Sequence, residues 1–509
     1  MTNIFSAFRD TWDGREGETL LTTSDATLCF ADVDNRSAAL AGALLALANP
    51  APGEVVMAVV EKSVDALALY LACLRLGVVF LPANPAYTPR ELAHLADDGR
   101  PVILVCDPSA LALAQHLSAN TPSLRLIASL GTDSVGTLTQ AASDTTPFTE
   151  VRPRSGEATA ALLYTSGTTG APKGVPLSHD NLLSNARALV DAWAFSDRDV
   201  LVHALPIFHV HGLFVALHCA LLAGARMRYL MKFNAEAVRD ALADATALMG
   251  VPTYYARLLT LDDFTRAHCA NVRLFVSGSA PLTEKLFHAF EARTGQRILE
   301  RYGMTETGML ASNPLHGERL AGSVGYALPG VQIRITGDGG ETLPSDSPGM
   351  VEVRGPGIFA GYLNRPEVNA REFTADGWFR TGDLGTLAID GRLTLAGRAR
   401  DLVISGGYNV YPAEVEACLD TLDGVHESAV IGVPHDDLGE AVVAVVVPAA
   451  GAAPPSPESI TAQLGERLAR YKQPRHVEVV EALPRNTMGK VRKQALREAL
   501  ASHFQGRAD

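Results

Sequence analysis

The sequence has 509 residues, of which 47% are hydrophobic and 19% are charged, and its formal net charge is −13. At this length we expect about three or four structural units, or one large domain with a small partner, and a core that needs no metal or disulfide cross-links. The acidic balance without Lys/Arg clusters argues against nucleic-acid binding, and the six cysteines include no CxxC pair, which argues against a structural zinc site.

The first 150 residues alternate short apolar runs with helical patterns. Residues 55–60 and 101–106 are typical of buried parallel strands, and Val64–Leu76 has the periodicity of a helix. This alternation predicts βαβ units with helices on both faces of a parallel sheet. The chain shows no signal-peptide core and no apolar run of membrane-spanning length, so we expect a cytoplasmic protein without a membrane partner.

After residue 150 the pattern of predicted elements changes. A strand is predicted at residues 160–164, and Ser178 and Asp180 are plausible N-caps of the helix that follows. Residues 325–394 are rich in Gly, Pro and short alternating segments, which predicts a β-rich subdomain. The C-terminal part is typical of a small α+β domain. Its predicted strands are 425–433, 441–447 and 477–480, and its predicted helices are 412–422 and 459–471.

A stretch rich in Gly, Thr and Ser follows the strand predicted at residues 160–164. It reads Thr165, Ser166, Gly167, Thr168, Thr169, Gly170, Ala171, Pro172, Lys173 and Gly174. Hydroxyl groups, glycine N–H groups and one lysine are what a phosphate-binding loop needs. The pattern GxxxxGK[ST] is not matched, because Pro172 precedes the lysine and Gly174 follows it. Taken alone, the stretch could also be a plain flexible connection.

Four further motifs agree with a nucleotide site. They are RYGMTET at residues 301–307, RTGD at 380–383, GRARD at 397–401 followed by ISGGYNVYPAEVE at 404–416, and PRNTMGKV at 484–491. Over nearly the whole chain, the order and spacing of these motifs resemble the adenylate-forming acyl-CoA synthetases, relatives of aryl-CoA ligases, firefly luciferases and peptide-synthetase adenylation domains. Within that family, the runs LPIFHVHGLF, MGVPTYY and LFVSGSAPL look most similar to malonyl-CoA synthetases.

The resemblance implies both a fold and a reaction. The fold would be a large α/β domain at residues 1–399, made of two doubly wound sheet subdomains and a β-rich subdomain, and a small mobile α+β domain at residues 400–509, with a hinge at Arg400 and Asp401. In the reaction, a carboxylate attacks the α-phosphate of ATP, giving an acyl-adenylate and pyrophosphate. The CoA thiol then attacks the activated carbonyl and releases AMP. Mg²⁺ is the implied cofactor, and ATP, CoA and the acid are the substrates.

The resemblance also assigns residues to the nucleotide. The loop from Thr165 to Gly174 would bind the β- and γ-phosphates, Thr305 would donate to the α-phosphate, and Glu306 would hold Mg²⁺. The other predicted ATP or AMP contacts are Gly278, Ser279, Ala280, Glu300, Arg301, Tyr302, Gly303, Met304, Asp383 and Arg398. Tyr302 would cover the adenine, and Asp383 would accept hydrogen bonds from the ribose. Without the other motifs, Glu306 would be interpreted as a solvated carboxylate and Asp383 as a turn residue.

Further implied roles concern catalysis and CoA. Lys490 would bridge the acyl carboxylate and the α-phosphate as a point charge, although a lone lysine near a C-terminus is usually solvated. A lysine acyltransferase that modified Lys490 would remove that charge and switch the enzyme off. Gly406 and Gly407 would lie beside the pantetheine chain of CoA. His209 would act where the acyl group meets that chain.

The substrate prediction depends on Arg301. Relatives that take bulky aryl acids commonly have glycine at this position. An arginine in an apolar pocket is unfavourable unless an anion pairs with it, so we expect it to bind the second carboxylate of malonate or methylmalonate. Val210, Ser277 and Met304 would line the rest of the pocket. An ordinary ion pair between Arg301 and Glu300 is the alternative.

Other interpretations stay open at this stage. Arg257 and Arg273 are weaker candidates for the second carboxylate. The acid could instead be acetate or an aryl acid, or adenylation could serve a carrier protein's phosphopantetheine arm. A nucleotide-binding or CoA-binding sensor without turnover is the alternative from another class of protein.

Overall fold

The structure is a computed structural model that describes residues 3–165, 172–435, 438–449, 455–465, 467–486 and 489–504. Two large sheets, mainly parallel, organise the first three hundred or so residues. The N-terminal sheet has, in spatial order, the strands Leu126–Ser129, Ile103–Cys106, Val55–Val59, Val79–Pro82, Thr159–Thr165 and Lys173–Ser178. The central sheet has the strands Tyr326–Ala327, Gly308–Ser312, Leu299–Met304, Leu274–Ser277, Ala247–Gly250, Val200–His203, Arg226–Tyr229, Thr19–Thr22 and Thr27–Cys29.

Helices cover both sheets. Those of the large domain are Ile4–Trp12, Phe30–Ala48, Val64–Leu76, Pro89–Gly99, Leu111–Ser118, Thr137–Asp144, His179–Ala192, His218–Ala223, Ala235–Ala241, Pro252–Leu259, Glu284–Thr294 and Pro366–Glu372. Val64–Leu76 has the predicted bounds: Ser63 Oγ accepts from Ala66 N, and Gly77 ends the helix at φ 68°. Its leucines are completely buried, and burying a leucine contributes about 1.5–3 kcal/mol. Ser178 is the N-cap of His179–Ala192, as predicted.

The predicted β-rich subdomain is an antiparallel sheet of Gln332–Thr336, Gly349–Arg354, Phe379–Leu387 and Leu393–Arg398. The small domain has a sheet of its own, built from Tyr408–Val410, Val403–Ser405, Gly439–Pro448, Val425–His435 and His476–Val479. Its helices are Pro412–Asp420, Pro457–Gly465 and Lys493–Leu500. The helix predicted at residues 459–471 was placed wrongly: it runs from Pro457 to Gly465, and Arg470–Lys472 is a separate 3₁₀ turn. Gln473 is extended, as is usual for a residue before a proline, which stops that turn.

The two doubly wound sheets, the β-rich subdomain and the small α+β domain confirm the predicted fold class. The predicted boundary at residues 399/400 falls in the 3₁₀ turn Ala399–Asp401, and the domain limits themselves stay a prediction. Across the described ranges, no helix is both long and apolar enough to span a membrane.

The topology gathers the predicted site residues at one edge. Thr165, Ser277 and Met304 each lie at the carboxyl end of a strand, and each of these strands runs parallel to at least one neighbour in the two large sheets. In open α/β sheets, ligands bind outside the carboxyl ends of the strands. The β-rich subdomain lies against the same edge, because Tyr302 of the central sheet contacts Asp383 of the β-rich sheet.

Candidate active site

A cluster of buried polar side chains joins the central sheet to the β-rich subdomain. The hydroxyl of Tyr302 donates to Asp383 Oδ2, and Arg398 Nε lies 2.8 Å from Asp383 Oδ1. Arg398 also donates to the carbonyl of Thr381 at 3.2 Å. Burial and the nearby Asp383 raise the pKa of Tyr302 well above its ordinary value, so the phenol stays protonated. Tyr302, Asp383 and Arg398 are therefore brought together as the resemblance implies, and their roles toward AMP stay predictions.

Glu306 lies in a second buried cluster beside the first. Its Oε1 accepts from the hydroxyl of Tyr362 at 2.9 Å and from Thr165 Oγ1 at 3.4 Å. Lys173 Nζ lies 4.0 Å from the centre of the Tyr362 ring, in a cation–π contact. Burial raises the pKa of Glu306 above its ordinary value. Tyr362 thus connects the predicted metal ligand to the predicted phosphate-binding lysine.

Tyr362 was not predicted from the sequence. It follows Gly361 in the region rich in Gly and Pro for which only a β-rich subdomain was predicted. A tyrosine has an apolar ring and a polar hydroxyl, which allows it to contact a lysine and a carboxylate together. No spacing in the sequence connects it with Glu306, which lies 56 positions earlier.

We expect Tyr362→Phe to weaken Mg²⁺ binding about 10- to 100-fold, because a ligand that loses its orienting hydrogen bond holds metal less tightly. The measurement is a calorimetric Mg²⁺ titration of the enzyme–ATP complex without acid or CoA. Tyr326→Phe is the matched control, since Tyr326 is bonded to the exposed Asp390 of the same subdomain at 3.2 Å. Equal Mg²⁺ affinity in both variants would contradict an orienting role for Tyr362.

The base of the Gly/Thr/Ser loop is well defined. Thr165 and Lys173 are paired residues of two antiparallel strands, so the loop closes a hairpin. His94 Nε2 lies 2.8 Å from the carbonyl of Pro172, and Leu363 N donates to the carbonyl of Gly174 at 2.8 Å. The remaining residues predicted to bind phosphate lie outside the described ranges: Ser166, Gly167, Thr168, Thr169 and Gly170.

Thr305 and Val210, predicted for catalysis and for the acyl pocket, line one small cavity together with Phe214 and Asn185. Gly303 and Met304 complete the strand that bears Arg301 and Tyr302, and Thr305 begins the turn that follows it. The neighbouring strand Leu274–Ser277 leads into Gly278, Ser279 and Ala280. Ser279 has φ 71°, a left-handed conformation that is strained for a residue other than glycine.

Arg301 is buried in a pocket of neutral groups. It is 3% exposed, and among the described residues its Nε and Nη2 have no hydrogen-bond partner. Its guanidinium occupies the space above Gly278, where a Cβ would lie only 2.5 Å from Cζ. Burial lowers the pKa of Arg301 to about 10, so it keeps its charge at neutral pH. A buried guanidinium with two unused donors has the chemistry to pair with an anion, and the role of Arg301 toward the acid stays a prediction.

The alternative ion pair between Arg301 and Glu300 is not formed. Glu300 Oε1 accepts from the backbone N–H of Leu282 at 3.1 Å, and Oε2 has no partner among the described residues. Burial raises the pKa of Glu300 to about 8, so most of this carboxyl is neutral at pH 7. Arg273 is already paired with Asp199 at 2.7 Å. Arg257, the other weaker candidate, is exposed.

Histidines and serines form the rest of the wall around Arg301. Desolvation, reinforced by Arg301, lowers the pKa of His209 to about 4 and that of His211 well below its ordinary value. Both imidazoles are therefore neutral. Ser279 Oγ lies 3.2 Å from His211 Nδ1. Within the described chain, His211 Nε2 and the hydroxyl of Ser277 lack partners, so they can also contact a polar ligand.

Lys490 reaches the nucleotide cluster from the small domain. Burial lowers its pKa to about 8, with repulsion from Arg398 acting in the same direction and Asp383 opposing it. Gly489 has φ 75°, and a Cβ there would lie 3.0 Å from Thr253 Cγ2. Gly489, directly before Lys490, is therefore packed closely on helix Pro252–Leu259 of the large domain. This arrangement places an amine of the small domain within electrostatic reach of Asp383.

Two further groups of predicted residues are the glycines assigned to CoA and the hinge pair. Gly406 and Gly407, with φ 58° and 81°, form the turn between two strands of the small domain, and among the described residues a Cβ at Gly407 would meet nothing within 4 Å. Asp401 is paired with Arg497 at 2.7 Å, whereas Arg400 is exposed. Arg400 and Asp401 lie within electrostatic reach of Lys490, and the roles of the predicted CoA and hinge residues stay predictions.

Comparison with known proteins agrees with this geometry. A family model described as AMP-binding enzyme matches residues 8–363, and one described as AMP-binding enzyme C-terminal domain matches residues 414–490. Malonate–CoA ligase of Arabidopsis thaliana is 34% identical over 83% of this chain and 74% of its own length. Indoleacetate–CoA ligase of Aromatoleum aromaticum is 34% identical over 95% and 96%.

Solved structures give the same result. ATP-bound MatB from Rhodopseudomonas palustris is 46% identical, with a TM-score of 0.96 over 99% of both chains. Its apo form gives a TM-score of 0.85, so the present arrangement is nearer to the ATP-bound one. Because the family model spans most of the chain and the fold matches throughout, the chain belongs to the AMP-binding enzyme family and is an AMP-forming acyl-CoA synthetase.

Proposed function

We propose that this enzyme ligates malonate to CoA through malonyl-adenylate, and that it also accepts methylmalonate. The observation that carries the proposal is the buried guanidinium of Arg301, which has two unused donors and no carboxylate of the described chain within 4.0 Å. A dicarboxylate supplies that missing anion while its other carboxylate stays free to react. The similarity to the malonate–CoA ligase of Arabidopsis thaliana supports the same substrate.

In the first half-reaction, a carboxylate oxygen of the acid forms a bond to the α-phosphorus of ATP, and the bond to pyrophosphate breaks. We infer that Arg301 holds the distal carboxylate while Lys490 and Thr305 stabilise the charge that develops at the α-phosphate. Asp383, fixed by Tyr302 and Arg398, would accept from the ribose. In the second half-reaction, the CoA sulfur bonds to the acyl carbon and AMP leaves. The proposed contacts for CoA are at Gly406 and Gly407.

The residues present fit a single Mg²⁺ held together with nucleotide phosphates. Glu306 has one oxygen, Oε1, that is fixed by Tyr362 and Thr165. The described residues include no group of three or more His, Cys, Asp or Glu side chains that could hold a metal alone. Mg²⁺ is usually bound by one or two carboxylates with substrate phosphates, and it neutralises phosphate charge. Glu306 would be the protein ligand.

A methyl group on the acid would contact Val210, Met304 or Ser277. One methyl contact is worth about 1–3 kcal/mol, so this pocket has little power to separate malonate from methylmalonate. A lysine acyltransferase that acts on Lys490 would be a regulatory partner of such an enzyme, because acylation removes the charge.

The test is AMP release with ATP, Mg²⁺ and CoA, with malonate, methylmalonate, acetate, indoleacetate and benzoate compared at equal concentrations. We expect turnover with the two dicarboxylates only. Turnover confined to a monocarboxylate would retain the adenylation chemistry and reject the proposed substrate. The similarity to an indoleacetate–CoA ligase makes the aryl acids the strictest comparison. Replacing free CoA by a phosphopantetheine-bearing carrier protein tests the remaining alternative.

A further inference from the structure

A buried lysine joins the two large sheets beside the acyl pocket. Lys62 follows strand Val55–Val59 of the N-terminal sheet, and it is 7% exposed. Its Nζ lies 2.8 Å from His203 Nδ1, 2.8 Å from the carbonyl of His203 and 2.7 Å from the carbonyl of Leu230. The same Nζ lies 4.3 Å from the centre of the Tyr229 ring. Among the described residues, no carboxylate lies within 4.0 Å of it, so its charge is stabilised by dipoles and an aromatic ring.

The hydrogen-bond network determines the protonation of both groups. His203 Nε2 lies 2.9 Å from the carbonyl of Gly212, an acceptor, so Nε2 must carry the proton. Nδ1 is then an acceptor, and Lys62 faces three acceptors in all. Only the ammonium form of Lys62 has three N–H donors, so the three contacts together favour the charged state against the cost of burial.

The contact with Gly212 closes a loop. His203 is the last residue of strand Val200–His203, and the carbonyl that it binds lies nine positions later, within the π-helix His211–Leu217. Residues 204–212, which run from the end of the strand up to and including Gly212, are here called the pocket loop. It contains His209, Val210 and His211, which line the candidate acyl pocket. A Cβ at Gly212 would collide with the carbonyl of Pro206, so the loop is also packed tightly within itself.

We propose that Lys62 and His203 act as a clasp that positions the pocket loop, and that they set the affinity for the acyl acid without contacting it. Lys62 fixes the imidazole tautomer, and the imidazole ties Gly212 to the end of the strand. His211 then lies 3.2 Å from Ser279 Oγ, and His209 lies near enough to Arg301 for the guanidinium to lower the pKa of its imidazole. This inference rests on the proposed function, because it takes the Arg301 pocket to be the acid site.

The clasp should affect the binding of the acid and leave the binding of ATP unchanged. Among the described residues, Tyr302, Asp383 and Arg398 of the nucleotide cluster make no hydrogen bond or ion pair with Lys62 or His203. The clasp joins the N-terminal and central sheets, whereas that cluster joins the central and β-rich sheets. A loosened pocket loop would therefore raise KM for the acid and leave KM for ATP unchanged. A general loss of folding would alter both constants or lower the amount of active enzyme.

The experiment compares His203→Leu, Lys62→Met and His203→Gln with His218→Gln in the full-length enzyme. His203→Gln keeps an N–H donor for Gly212, and His218 is an equally buried histidine whose Nε2 lies 2.7 Å from the hydroxyl of Tyr70 in the core. With the acid that wild type turns over, we expect the first two variants to raise its KM about 10-fold or more, since small misplacements in a site are costly. We expect KM for ATP to stay at the wild-type value in all four.

Gly212→Ala keeps the experiment decisive if a clasp variant fails to fold. It moves the pocket loop while Lys62 and His203 stay intact, so it should raise KM for the acid in the same way. The proposal is overturned if Gly212→Ala leaves that KM unchanged, if KM for acid and ATP rise in parallel, or if His218→Gln matches His203→Leu. A failure of the proposed function is distinguishable, because it appears in wild type as turnover with a monocarboxylate.

Discussion

Lys490→Ala is expected to lower the rate of acyl-adenylate formation about 100- to 1,000-fold, the usual effect of removing one group that stabilises transition-state charge. In the structure this lysine follows Gly489, which is packed against helix Pro252–Leu259, and it lies within electrostatic reach of Asp383 and Arg398. An alanine leaves the developing charge at the α-phosphate without that cation. The measurement is single-turnover formation of AMP-linked acid from labelled ATP in the absence of CoA.

The second half-reaction provides the control for Lys490. Thioester formation from synthetic malonyl-adenylate and CoA should proceed at the wild-type rate, because Lys490 is assigned to adenylation only. Lys493→Ala is the matched control, since Lys493 is three residues away and pairs with Glu416 at 2.6 Å on the small domain. Equal loss of both half-reactions would reject the assignment. Chemical acylation of Lys490 should reproduce the alanine phenotype, and full adenylation by acylated enzyme would exclude regulation at this site.

The assignment of Lys490 also predicts the direction in which kcat/KM for adenylation changes with pH. Burial lowers the pKa of Lys490 to about 8, and only the protonated amine carries the charge that adenylation needs. In wild type, kcat/KM for adenylation should therefore decline as pH rises through about 8, because kcat/KM reports the ionisation of the free enzyme. Lys490→Ala should lose this alkaline limb. An unchanged limb in the variant would assign it to another group.

The sequence was sufficient to predict the site residues that belong to compact motifs. Tyr302, Glu306, Asp383 and Arg398 occur in short runs of fixed order, and the structure brings them into two adjacent clusters. Strand and helix positions also followed from local periodicity, because βαβ units bury apolar residues in regular patterns. The error at residues 459–471 occurred where two short apolar segments were read as one helix.

Residues that act through long-range contacts were out of reach of sequence reasoning. Lys62 and His203 are 141 positions apart, and Tyr362 is 56 positions from Glu306. Each of these residues alone is typical of an ordinary core or surface position. Their significance comes from the topology, which brings the ends of strands from different sheets together. Packing likewise decides against the ion pair between Arg301 and Glu300, since Glu300 accepts from the N–H of Leu282.

Arg301→Met is expected to lower kcat/KM for malonate roughly 30- to 5,000-fold, which corresponds to about 2–5 kcal/mol for truncating one partner of a buried charge pair. Methionine nearly fills the same volume, so the pocket keeps its shape and loses only its cation. Arg257→Met is the matched control, because Arg257 is exposed and lies 5.9 Å from the Phe233 ring. The measurement is AMP release with malonate and with propionate across a range of concentrations.

The effect on propionate and on folding separates binding of an anion from support of the fold. A buried cation without a partner destabilises the free enzyme, so Arg301→Met should raise the midpoint of thermal unfolding or leave it unchanged. Malonate should raise that midpoint in wild type and not in the variant, because a ligand stabilises only the state that binds it. Propionate has no second carboxylate, so its kcat/KM should be equal or higher in the variant. A parallel loss with both acids would mean that Arg301 supports the reacting carboxylate instead, and the dicarboxylate assignment would fail.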